Sequence, residues 1–300
     1  MLRWRLLFAA IILVPLLALV VADGKNYFGA PGILLAPLGL IVGLLAVGEI
    51  LDMLRGKGHD PVAWPVYVGT ACILLAGYAP LGWQLFGAEY PPDCSLGKLG
   101  WPLAAAALAV GLVFVGEMLR YEEPGGVIVN VSLGMFATLY VGLLLTFVTE
   151  LRLLDGNRGM TAFVSLLFVA KFADTGAYFF GRSFGRHKLA PKLSPGKTIE
   201  GAIGGIATAC LASWVFFQFI APQLNETAGP SSPLWGVLLY GVVIAVTGML
   251  GDLSESLLKR DMEHKDSSSW MPGLGGVLDV IDSILAAAPA AFVCWVAEIV

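Results

Sequence analysis

The sequence predicts an all-α, polytopic integral membrane protein with about nine transmembrane helices. Three observations carry that expectation. Of the 300 residues, 57% are hydrophobic and only 13% charged, against about 25% charged in a soluble domain. Mean hydropathy is +0.81. The apolar residues gather into runs of about 20, the length that crosses hydrocarbon as a helix. Spanning segments must satisfy their backbones internally, and β-barrel strands would be short and alternating, so these runs read as helices.

In order, the expected spans are 6–22, 31–51, 62–86, 100–119, 127–149, 160–181, 200–220, 234–252 and 277–298. The first resembles a secretory signal in its basic start and in Val20-Val21-Ala22, a weak cleavage site. Its apolar run is long for a signal peptide, so a retained helix is expected. Trp4, Trp64, Trp101 and Trp235 near span ends suit interfacial anchoring. With a cytoplasmic amino terminus, thirteen Lys and Arg fall on the cytoplasmic side and four outside, with Lys171 inside a helix. That bias supports the orientation. It places the chain in the cell (inner) membrane with loops 182–199 and 253–276 facing the cytoplasm, where nucleotides are found. Cys72, Cys94, Cys210 and Cys294 lie far apart without metal-ligand or redox spacing. Residues 1–160 read as a helical scaffold, open to roles in lipid access or oligomerisation, and 161–300 as the catalytic region.

The chemistry concentrates in two stretches. In the first, Lys171 and Asp174 lie one helical turn apart, either as a packing ion pair or as the polar wall of a cavity with Thr175 and Tyr178. Arg182, Arg186, Lys188, Lys192 and Lys197 follow, a basic loop suited to anionic headgroups. Ser194-Pro195-Gly196-Lys197-Thr198 joins a flexible backbone to a lysine and a hydroxyl just before a helix, where N–H groups suit phosphate oxygens. It lacks the spacing of a P-loop. In the second stretch, Asp252 ends one apolar run, while Asp279 and Asp282 share a helical face at the start of the next. Carboxylates beside hydrocarbon call for a partner. Hard oxygen ligands of this kind suit Mg2+ and the phosphates it carries. Lys259, Arg260 and Lys265 can neutralise phosphate charge, as phosphoryl or nucleotidyl transfer requires. Asp266 is either a further site member or a salt-bridge partner. Pro272, Gly273, Gly275 and Gly276 form a turn that either brings backbone to a ligand or simply re-enters the membrane. Glu49, Asp52 and Glu117 read as packing or interfacial residues rather than cavity lining, and His59, His187 and His264 show no ligand spacing.

With these residues assembled, the chain resembles the phosphatidate cytidylyltransferase (CDP-diacylglycerol synthase) family. The carrying residues are Ser256, Leu258, Lys259, Arg260, Lys265, Asp266, Pro272, Gly275, Gly276, Val277, Asp279, Ile281 and Asp282, with the upstream Asp174–Gly201 block. The likeness covers roughly residues 170–285. Leu274 stands where the family usually has histidine, and Val280 where it usually has arginine. The resemblance implies cytidylyl transfer from CTP to phosphatidic acid, with release of pyrophosphate. It implies that Asp252, Asp279 and Asp282 hold the metal, with a second cation left open. Asp252, Lys259, Arg260, Lys265 and Asp266 would serve catalysis; Asp174, Ser194, Lys197, Thr198, Ser256, Gly275 and Gly276 would bind substrate. CTP and bilayer phosphatidic acid are the implied partners. No nucleic acid is expected, and a homodimer is left open. The alternatives are a CTP-dependent transferase or kinase acting on another lipid, such as a polyprenol, and an ion-coupled transporter. The transporter would need a second polar half, which the chain lacks.

Overall fold

The computed structural model describes residues 15–25, 30–91, 93–154, 158–224, 232–268 and 275–300. Among them, seven helices are long and apolar enough to cross a membrane, or eight if one bent pair forms a single span. Of the expected first span, only the helix α1 (Pro15–Gly24) is described; the rest of that span lies outside the described residues. The remaining helices are α2 (Ala36–Gly56), α3 (Ala63–Ala76), α4 (Ala79–Leu85), α5 (Gly100–Arg120), α6 (Val127–Arg152) and α7 (Arg158–Phe184). A hairpin of β1 (Lys188–Ala190) and β2 (Ser194–Thr198) precedes α8 (Ile199–Val215), a π-helical turn (Phe216–Ile220) and α9 (Ala221–Leu224). Last come α10 (Leu234–Asp261) and α11 (Val277–Val296).

Two elements depart most from the expected boundaries. The run expected as one span at 62–86 is α3 and α4, bent by 50° at the break. Gly77 and Pro80 flank that break, one lacking a side chain and the other lacking a backbone donor. The second difference lies at the end of α10, which continues to Asp261 where a loop was expected from 253. Nothing from Leu253 to Arg260 breaks a helix, and Glu255 and Lys259 form an i,i+4 pair with the acid first, the favoured order.

The chain divides into two compact units, one of residues 1–150 and 262–280, the other of 151–261 and 281–300. In the first, α3 packs against both α2 and α5. Its core joins Ile73 to Ala106 and Ala109, flanked by Leu139 and Leu143. A Cβ on Gly69 would lie 2.9 Å from that of Ala109, so the absent side chain is what lets α3 and α5 approach. Glu117, buried on α5, accepts from the Val62 N–H at the start of α3 (3.2 Å), which makes it a helix cap.

In the second unit, α8 packs on α7 and α10. Small residues again set the spacing: a Cβ on Gly201 would lie 2.8 Å from the Ala177 carbonyl of α7, and one on Gly241 would lie 2.7 Å from Cys210 Cα of α8. Phe216, Phe217, Tyr240 and Trp295 meet at the π-helical turn, Phe217 lying edge-to-face with Phe216 and Tyr240 and tilted against Trp295. The buried polar groups inside this apolar cluster are satisfied: Ser165 Oγ meets Tyr240 Oη at 2.8 Å and accepts from Trp295 Nε1 at 3.3 Å.

Candidate active site

The second unit gathers most of the sequence-predicted residues. Asp252 and Glu255 lie one turn apart on α10, and Asp282 comes from the first half of α11. One carboxylate oxygen from each falls within 4.8 Å of the others. The crossing of α10 and α11 makes this possible, because Gly251 faces the Asp282 carbonyl and Gly248 faces Ser283. Asp252 and Asp282, two of the three expected ligands, thus lie together, and Glu255, unassigned by the sequence, joins them.

Two lysines meet this group. Lys197 Nζ, reaching from β2, lies 2.6 Å from Asp252 Oδ2. Lys259 Nζ lies 2.6 Å from Glu255 Oε2, and that carboxylate is almost wholly buried, its side chain 1% exposed. A carboxylate buried to that degree needs a cation beside it. The neighbouring Thr198 starts α8 as a side-chain cap, its Oγ1 accepting from Gly201 N at 3.1 Å. Ser194 opens β2 and pairs with Ala190. Arg260 donates from Nε to the Leu193 carbonyl at 3.2 Å, so it ties the end of α10 to the hairpin turn. Ser256 is buried on α10.

Beside Asp282 sits a triangle of polar groups. Lys171 Nζ is 3.2 Å from Asp174 Oδ2 and 3.4 Å from Ser283 Oγ, and Ser283 Oγ donates to Asp174 at 3.1 Å. Of the two readings the sequence left open, both hold in part: Lys171 and Asp174 are an ion pair, and Asp174 also lines a cavity of about 520 Å3. Lys197, Thr198, Asp252, Tyr178 and Arg182 share that cavity, while Ala177, Ala202 and Met249 give it an apolar side. Arg182 donates to Tyr178 Oη at 2.7 Å.

The first unit holds the other predicted residues. Asp279 Oδ2 accepts from Ser267 N (2.8 Å), Ser267 Oγ (2.7 Å) and Gly276 N (2.8 Å), so the third expected metal ligand is engaged in holding the loop that precedes α11. Glu49, read from sequence as a packing or interfacial residue, is buried and accepts from Val277 N (2.8 Å) and Leu278 N (2.9 Å); Ser267 Oγ lies 2.8 Å from it as well, its one hydroxyl hydrogen shared between Glu49 and Asp279. It is the cap of α11, supplied from α2. Gly276 faces this carboxylate so closely that a Cβ would collide with it, and Gly275 has φ +83°, the left-handed region that favours glycine. Lys265 and Asp266 lie exposed in the same loop. Lys57, 2.6 Å from Glu263, holds that carboxyl below its ordinary value. Pro272 and Leu274 fall outside the described residues, and Val280 sits half-buried in the first turn of α11.

Fold and site together define a polytopic integral membrane protein with a carboxylate and lysine cluster opening on a cavity among its helices. The cytidylyltransferase family model matches residues 3–297. Several relatives carry the name phosphatidate cytidylyltransferase, three of them as follows. The protein of Haemophilus influenzae is 44% identical over 135 residues, 45% of this chain and 46% of its own. That of Bacillus subtilis is 32% identical over 254 residues, covering 84% of this chain and 86% of the relative. That of Chlamydia pneumoniae is 29% identical over 256 residues, 83% and 78%. The chain belongs to the cytidylyltransferase family.

Proposed function

We propose that the protein transfers the cytidylyl group of CTP to phosphatidic acid, giving CDP-diacylglycerol and pyrophosphate. The observation that carries this reading is the meeting of Asp252, Glu255 and Asp282 with Lys197 and Lys259. The relatives' shared name supplies the substrates. Three hard oxygen donors within 4.8 Å of one another fit Mg2+, which prefers carboxylates completed by water and phosphate. Bound there, the ion supplies charge neutralisation at the transferring phosphate.

The chain's own residues do the rest. An oxygen of the lipid phosphate attacks the α-phosphorus of CTP, and the bond to the β-phosphate breaks to release pyrophosphate. The lipid phosphate is anionic near neutral pH, so no strong general base is needed. The barrier is the approach of two anions, which Lys197, Lys259 and Arg182 lower by charge while the Thr198 hydroxyl, which lines the cavity, orients a phosphate oxygen. The apolar side of the cavity, Ala177, Ala202 and Met249, suits the glycerol end of a lipid whose chains stay in the bilayer. The excess of Lys and Arg in the loops expected on one side supports a cytoplasmic position for this machinery, with the protein in the cell membrane.

The test is pyrophosphate release by the detergent-purified protein supplied with CTP, Mg2+ and phosphatidic acid. Release that depends on phosphatidic acid supports the proposal. Release only with a polyprenol acceptor would transfer the same site to another lipid, and no release with any acceptor would overturn the reading.

A further inference from the structure

We infer that Lys197 and Lys259 are exchangeable counter-cations of the carboxylate cluster, and that they couple the binding of a divalent cation to the binding of nucleotide phosphates. The inference rests on the cytidylyltransferase reading above and deepens it. Two of the three clustered carboxylates carry an ammonium at 2.6 Å. The two ammoniums arrive from different elements, Lys197 from the hairpin and Lys259 from α10, so neither pairing follows from the other.

An ammonium and a divalent ion seek the same carboxylate oxygens and repel each other. A cation entering the cluster therefore displaces the lysines. Their side chains are only 20% and 12% exposed, so water cannot fully solvate them once displaced. Phosphate oxygens can take them instead. Lys197 and Asp252 both line the cavity, so there is room for phosphates beside this pair. Each ligand alone meets a site that is already internally paired, and each lowers the cost of admitting the other. That is positive coupling, and it is reciprocal. The exchange involves no covalent step. It favours the nucleotide arriving with its cation over either one alone.

Mn2+ is the probe, titrated by the spectral loss of free ion into detergent-purified protein without nucleotide or lipid. Lys197→Met and Lys259→Met should each bind Mn2+ about 10-fold more tightly than the unsubstituted protein, because a competitor has been removed. Both should bind CTP more weakly. Lys197→Arg, which keeps the charge, should bind Mn2+ as the unsubstituted protein does, and a structural role for Lys197 would instead weaken Mn2+ binding in Lys197→Met. Unchanged or weaker Mn2+ binding in both Met variants overturns the exchange while leaving the proposed reaction standing, provided Asp252→Asn abolishes Mn2+ binding. If Asp252→Asn binds Mn2+ as the unsubstituted protein does, the carboxylate site itself fails and the exchange fails with it.

Discussion

The Glu49 carboxylate on α2 accepts a hydrogen bond from the backbone N–H of Val277 at 2.8 Å, across 228 residues of sequence. A second oxygen takes the Leu278 N–H, so two of the donors that a helix start leaves without intrahelical partners are met by one buried charge. Glu49→Ala should leave these N–H groups buried and unsatisfied, at about 1–3 kcal/mol each. The expected result is a thermal unfolding midpoint in detergent lowered by several degrees, on the order of 2–4 °C per kcal/mol. Glu49→Gln, which keeps an acceptor, should fall between. A midpoint unchanged in Glu49→Ala would show that α11 does not depend on this cap.

Asp252, Glu255 and Asp282 share one cluster while Asp279 holds a loop, and the two roles predict different failures. Asp252→Asn, Asp282→Asn and Glu255→Gln should each lower turnover by at least about 100-fold, as loss of a charge-stabilising group does; the unfolding midpoint should change little in the two Asp→Asn variants and fall in Glu255→Gln, which strands the Lys259 ammonium. Asp279→Ala should lower the midpoint as well, because Ser267 and Gly276 lose their shared acceptor. The paired measurements, pyrophosphate release and thermal unfolding on the same preparations, separate the two classes of aspartate. An Asp279→Ala protein that is fully stable and inactive would return Asp279 to the metal.

The sequence made the spans legible because hydrocarbon imposes length and apolarity locally, and Asp252 and Asp282 because a carboxylate at the edge of an apolar run stands out. Glu255 was legible in principle, since it lies one turn after Asp252 and one turn before Lys259. Reading residues 253–261 as a loop removed the helical period that would have aligned it. Glu49 could not be read in this way. Its function depends on backbone donors more than 200 residues away, and no local pattern separates a capping glutamate from an interfacial one. The bend at Gly77 was hidden for a related reason: hydropathy counts apolar residues and is blind to a break in their helix.

Gly251 and Gly248 occupy the same face of α10 against α11 but differ in clearance. A Cβ on Gly251 would strike the Asp282 carbonyl and lie 2.7 Å from Ala286 Cβ, whereas on Gly248 its nearest neighbour would be 3.6 Å away, at Ser283. Gly251→Ala should therefore force α10 and α11 apart, at about 1–3 kcal/mol, and displace Asp282 from Asp252. Both the unfolding midpoint and turnover should drop. Gly248→Ala, one turn earlier, should leave both nearly unchanged. Equal behaviour of the two variants would mean that α11 is not held by this contact.

Ser283 follows Asp282 directly and donates from Oγ to Asp174 while receiving Lys171, so it fastens α11 to α7 beside the cluster. Its hydroxyl is not a metal ligand in this arrangement; its effect should pass through Asp174. Ser283→Ala is expected to lower kcat/KM by roughly 10-fold, about 1.4 kcal/mol of transition-state stabilisation. Asp174→Ala should cost more, since it removes the acceptor of both Lys171 and Ser283. Combined, the two substitutions should be no worse than Asp174→Ala alone, because the hydroxyl has lost the group it acts through. Contacting residues of one network show such non-additivity at about 0.5–3 kcal/mol. Additive losses in the double variant would mean that Ser283 acts independently of Asp174.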